Sequence, residues 1–196
     1  AEGARSGSTD VILFPKDIVA NASRIISDLR SFFPPEEGTF LIGPMTKFGW
    51  GTPTLISLSL GIIIEIPGDV AIVGKLTVAI PDEKLPLVVI NVAFIGAIEF
   101  DKKRGWFFAA IYDSRVIYIT LEGGIGVLAA FGDDSNFIVT VGGFHPSYNP
   151  PALPFHDVPR IAINILNTPV AKIIVRAYFA VTSNTVSFSA ASTFGY

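Results

Sequence analysis

The 196-residue chain has no cysteine, a single methionine and two histidines, and only 16% of its residues carry charge. Without cysteine there can be no disulfide, no thiolate zinc site and no thiol nucleophile, and the redox compartment stays undetermined. The formal net charge of −3 and the lack of a basic cluster interleaved with aromatics exclude long-range attraction to phosphates, so no nucleic-acid partner is expected. The longest nearly uncharged apolar run, "LPLVVINVAFIGAI" at 85–98, is too short for a membrane-crossing helix and is broken by Pro86, Asn91 and Gly96. Residues 1–9, "AEGARSGST", lack an apolar signal core and are read as a disordered end or linker. What is abundant is greasy: half the residues are hydrophobic and the mean hydropathy is +0.55. So few charges cannot coat an ordinary surface, and some apolar surface is expected to meet a partner, a ligand or a lipid.

The length suits one domain, placed at 10–196. One amphipathic helix is predicted at about 16–33, where Ile18, Ala22, Ile25, Ile26, Leu29, Phe32 and Phe33 recur every three or four residues until Pro34 and Pro35 stop them. From about residue 39 the period becomes two. In "LISLSLGIIIEI" Ile56, Leu58, Leu60, Ile62, Ile64 and Ile66 share one side, with Ser57, Ser59, Gly61 and Glu65 on the other. Similar runs follow, separated by "PGD", "PDEK", "DKKRG" and "GDDSN", with a bend or bulge expected at Gly123–Gly124. The expected fold is all-β, a strongly curved or partly closed antiparallel meander of about nine or ten strands with one N-terminal helix.

Chemistry-bearing motifs are sparse. "VGGFHPSYNPPALPFHDVPR", 141–160, holds both histidines, and His145, His156 and Asp157 are the residue types of a two-His, one-carboxylate metal site. Adjacent ligands at 156 and 157 would need an irregular backbone to converge, while the flanking prolines favour an extended path, so the segment is read as a structural strap. Glu65, Glu99, Asp113 and Glu122 lie on different strands with no spacing that selects an acid–base pair. "LEGGIGVLA" lacks the spacing of a dinucleotide loop, and no G-x-S-x-G elbow occurs. No enzyme activity and no cofactor are expected.

"GPMTKFGWGTPT" leading into "LGIIIEIPG", then "VGGFHPSYNPP" and "AYFAVTSNTVSF", together resemble the signature stretches of an uncharacterised domain-of-unknown-function family of large, β-rich, mostly bacterial proteins. The resemblance spans about 43–196, and Gly142, Gly143, Phe144, His145 and Pro146 are its most distinctive piece. It implies a β-rich fold and no particular reaction, and the greater length usual in that family implies a segment or a reduced relative. The functional expectation is a non-enzymatic module that binds a hydrophobic small molecule or lipid in an apolar groove, with Ile56, Leu58, Leu60, Ile62, Ile64, Val78, Val88, Ile90 and Phe94 as wall or core. The alternative is a structural module joining sheets edge to edge in a homo-oligomer or a larger β-rich assembly, and a third is an outer-membrane-type barrel. Composition leaves the cellular compartment open.

Overall fold

A computed structural model describes residues 40–66, 68–81, 84–132, 135–155, 157–168 and 171–195. The helix expected at 16–33 lies outside these residues. Among the described residues, alternating β-branched and aromatic side chains build eleven strands: β1 (Phe40–Ile42), β2 (Met45–Trp50), β3 (Ile56–Ile66), β4 (Val70–Ile80), β5 (Val88–Glu99), β6 (Arg104–Val116), β7 (Ile119–Ala130), β8 (Asn136–Val141), β9 (Ile161–Asn167), β10 (Lys172–Thr182) and β11 (Val186–Gly195). All belong to one antiparallel sheet, in which β3 to β8 follow one another as a meander. The all-β meander read from the sequence is therefore the observed fold.

Two features exceed that reading. The segment before β3 makes two strands on either side of Gly43–Pro44: β2 lies along Ile56–Gly61 and β1 along Ile64–Ile66 of the same edge, in one register, and between them the Pro44 carbonyl still accepts from the Ile62 N–H at 3.1 Å. The slot between β7 and β10 is likewise filled in two pieces, β8 pairing with Ile125–Ala130 and β9 with Thr120–Glu122. Among the described residues no ladder joins β11 to β1, β2 or β3, and within them the sheet has two edges without a further strand, one at β1 and β2 and one at β11. The closing ladder that a barrel requires is not found there.

The 142–160 segment links β8 to β9 by crossing one face of the sheet. Gly142 and Gly143 start the crossing with φ of 75° and 83°, in the left-handed region that glycine enters without penalty. A Cβ would also bring Gly142 to 2.5 Å from the Ala177 carbonyl oxygen and Gly143 to 2.8 Å from that of Val158. Thr140 Oγ1 donates to the Gly143 carbonyl at 2.6 Å. At the far end Arg160 ties the strap back on itself, donating to the carbonyls of Gly142 at 3.0 Å and Phe144 at 2.7 Å, with its guanidinium 4.1 Å from the centre of the Tyr178 ring.

Under the strap lies a buried cluster of Phe108, Ala110, Leu128, Ile138, Phe155 and Val158, with Trp106, Phe144 and Leu153 packed around it. Phe155 stacks on Phe108 at 6.0 Å and tilts against Trp106 at 6.2 Å. Gly126 and Gly124 make the space: a Cβ at Gly126 would come within 2.6 Å of the Phe155 ring, and one at Gly124 within 2.6 Å of Pro159. The bulge expected near Gly123–Gly124 does occur in the ladder at that level, and Gly124 in addition makes room for the strap. The bulge at this level is carried by β6, where Tyr112 and Asp113 oppose the single residue Glu122, and Asp113 takes a φ of 44°, which Asp tolerates better than most residues. Truncation of Phe155 to Ala should cost about 3 kcal/mol, in the range for emptying a buried aromatic site. Urea unfolding checks this, and a loss below about 1 kcal/mol would show that the strap does not stabilise the sheet.

Candidate functional site

Side chains alternate across a pleated strand, and directly paired residues share a face. Ile56 pairs with Val78 and Leu60 with Gly74; Val78 in turn pairs with Ile90, Gly74 with Phe94, and Ile80 with Val88. The register thereby brings all nine residues singled out from the sequence onto one face, opposite the strap. None of the nine is buried: Ile56 is exposed and the other eight are partly buried. The buried core sits instead on the small-residue face, where glycines and alanines leave room for the strap to dock. A continuous apolar surface of Ile, Leu, Val and Phe is therefore left facing outward among the described residues.

At one end of this face the surface sinks into a groove of about 490 Å³ lined entirely by apolar residues. Ile62, Ile72, Ile98, Phe107 and Val127 form its walls, and Gly96 and Gly105 contribute to its floor. The depression arises from side-chain size. Phe94 leans over Gly74, where an added Cβ would come within 2.3 Å of its ring, and Phe107 meets Phe94 at 6.0 Å. Gly96 and Gly105, on the same face, put nothing beyond the backbone into the space. Of the nine expected wall residues Ile62 lines this groove, and the other eight extend the same face beside it. Ile72, Ile98, Phe107 and Val127 share the period-two phase that marked the nine, and that phase was the signal that could have found them.

The polar candidates are dispersed. His145 is exposed, accepts a hydrogen bond at Nδ1 from the Ser147 N–H at 3.1 Å, and presents an edge-on ring to Tyr178 at 6.3 Å. Asp157 is exposed, and His156 lies outside the described residues. Among the described residues no three His, Asp or Glu side chains are grouped so as to hold a metal ion. Asp113 and Glu122 do come together across β6 and β7, in a small cleft with Arg115 and Thr120. All four side chains are exposed there, so water screens the charges.

Glu99 is the one buried carboxylate among the described residues. It closes the β5–β6 hairpin, accepting from Lys102 Nζ at 2.5 Å, from Arg104 Nε, and from Trp106 Nε1 at 3.1 Å. Desolvation works to raise its pKa, but the hydrogen bonds and charges of Arg104 and Lys102 outweigh it and hold the carboxyl below its ordinary value. A folded-state pKa below the unfolded one contributes stability above the ordinary glutamate range near pH 4.3, and that contribution is lost as pH falls through the folded value. Urea unfolding from pH 7 to pH 3 should show wild type losing stability more steeply than Glu99→Gln below about pH 4. Parallel curves would contradict this account of the hairpin.

Comparison with curated proteins and with solved structures gave no match for this chain. The profile of a family of unknown function, DUF6603, matches residues 1–194. The chain that forms this β-meander and its glycine-seated strap belongs to that family.

Proposed function

We propose that this protein is a non-enzymatic binding module whose aliphatic face takes up the hydrocarbon portion of a lipid-like ligand. The observation that carries the reading is the 490 Å³ apolar groove continuous with the nine-residue face. Its volume falls within the range of small-molecule sites, which are concave, mostly apolar and few per protein. Each methylene moved from water into such a site contributes about 0.8 kcal/mol, so eight of them supply a gross term of roughly 6 kcal/mol before the cost of association. With no polar side chain in the lining, the groove recognises a chain by its shape and greasiness, and head-group chemistry should count for little.

Organic extraction of the purified protein followed by mass spectrometry should recover an apolar compound near one equivalent per chain. The complementary variant is Gly105→Leu. A Cβ on Gly105 meets nothing closer than 3.9 Å, so the added side chain can project into the groove without disturbing the sheet. It should leave the circular dichroism unchanged and weaken binding of a fluorescent fatty acid at least about tenfold, as expected when about 1.4 kcal/mol of burial is lost. An empty extract together with a fatty acid that binds wild type and Gly105→Leu equally would remove the reading.

A further inference from the structure

The two free edges of the sheet are built differently. On one edge β1 and β2 are separated by Gly43–Pro44, and β2 carries Lys47. A lysine on an edge strand is one of the devices by which natural sheets prevent further strands from adding. On the other edge β11, "VSFSAASTFG", runs ten residues without a charge or a proline. Its whole length pairs with β10 in one unbroken register. Every second residue must then direct its N–H and C=O away from β10, an uninterrupted template for another strand. The side chains are bare as well: Val186, Phe188 and Phe194 are 63%, 76% and 68% exposed.

We infer that β11 pairs antiparallel with β11 of a second copy of this chain, joining two sheets edge to edge about a two-fold axis at Ala191. The side-chain pattern selects both partner and register. Val186, Phe188, Ala190, Ser192 and Phe194 lie on the aliphatic side of the sheet, and Ser187, Ser189, Ala191 and Thr193 on the strap side. Only registers that pair even with even positions keep the aliphatic faces of the two copies on the same side. Among these, centring on Ala191 sets Phe188 against the partner's Phe194 twice over, and aromatic cross-strand pairs are among the most stabilising. On the opposite side Ser189 meets the partner's Thr193, so small hydroxyl side chains face each other without a clash. An isologous contact of this kind closes at two copies and leaves the lysine-bearing edges outermost. It extends the aliphatic face of one protomer into that of the other, and it depends on the edge alone, not on occupancy of the groove.

The absence of cysteine makes a single introduced thiol a clean reporter. At the two-fold axis the Cα atoms of residue 191 and its counterpart would lie about 4.5–5.5 Å apart, within disulfide range. Light scattering of the wild-type chain should give a dimer whose mass does not grow with concentration. Mild oxidation should convert Ala191→Cys to a disulfide-linked dimer, while Lys47→Cys on the other edge stays monomeric on a non-reducing gel. Ala191→Lys places like charges face to face across the axis and should raise the dimer dissociation constant at least tenfold with unchanged circular dichroism. A monomer at all concentrations, or Ala191→Cys linking no faster than Lys47→Cys, overturns the inference. So does a species that grows beyond two copies with Lys47→Cys also linked, the signature of head-to-tail stacking. Cross-linking reports on the edge and ligand recovery on the groove, so either reading can fail without the other.

Discussion

The contact of the Phe155 ring with the bare backbone of Gly126 is the one on which the rest of the arrangement depends. A sheet this wide has two faces to dispose of, and over β6, β7 and β8 the chain covers one of them with the 142–160 strap. Such a strap cannot supply the row of large side chains that a helix or a second sheet would bring. It fits because glycine and alanine lower the surface beneath it and a few aromatic rings fill the depression. Arg160 closes the device by binding carbonyls at the start of the strap from its end.

Seating the strap on the small-residue face has a consequence for the other face. Domains normally bury each apolar face against a second layer, yet here the larger and greasier face has no such layer among the described residues. At about 25 cal/mol per Å² of apolar surface, each half-exposed Ile, Leu or Val leaves roughly 1 kcal/mol of burial unrealised. Spread over five or more strands, this unrealised burial is the ground for proposing an occupant in the glycine-floored groove. The two edges carry the same logic into the plane of the sheet, since one bears Lys47 while β11 is uncharged along its length.

Much of the fold could be read from residues alone. Alternation in Ile56–Ile66 and Val70–Ile80, bounded by polar turns, is a local signal, and the short loops force antiparallel neighbours. Other elements escaped for local reasons too. The turn at Ile117–Tyr118 carries none of the Asn, Asp or Gly that marks a two-residue hairpin, and Ile117 adopts a φ of 57° that its type rarely takes, so no local residue pattern marks the boundary between β6 and β7. Strands are expected from about residue 39, and what the sequence does not show is that Gly43–Pro44 divides the first of them into β1 and β2.

The sequence by itself determined that the protein is an antiparallel all-β meander and that one set of alternate residues forms a continuous aliphatic stripe, since both follow from period and turn chemistry within a few residues. Only the tertiary structure decided which face the 142–160 strap would cover, that Gly124 and Gly126 serve as its seat, and that Gly96 and Gly105 open a groove on the other side. These depend on contacts between residues far apart in sequence, where the missing side chain of one strand matters only because of what another segment lays over it or leaves bare. No local pattern records that pairing, because a glycine within a strand looks the same whether it lies under an aromatic ring or forms the floor of an open groove.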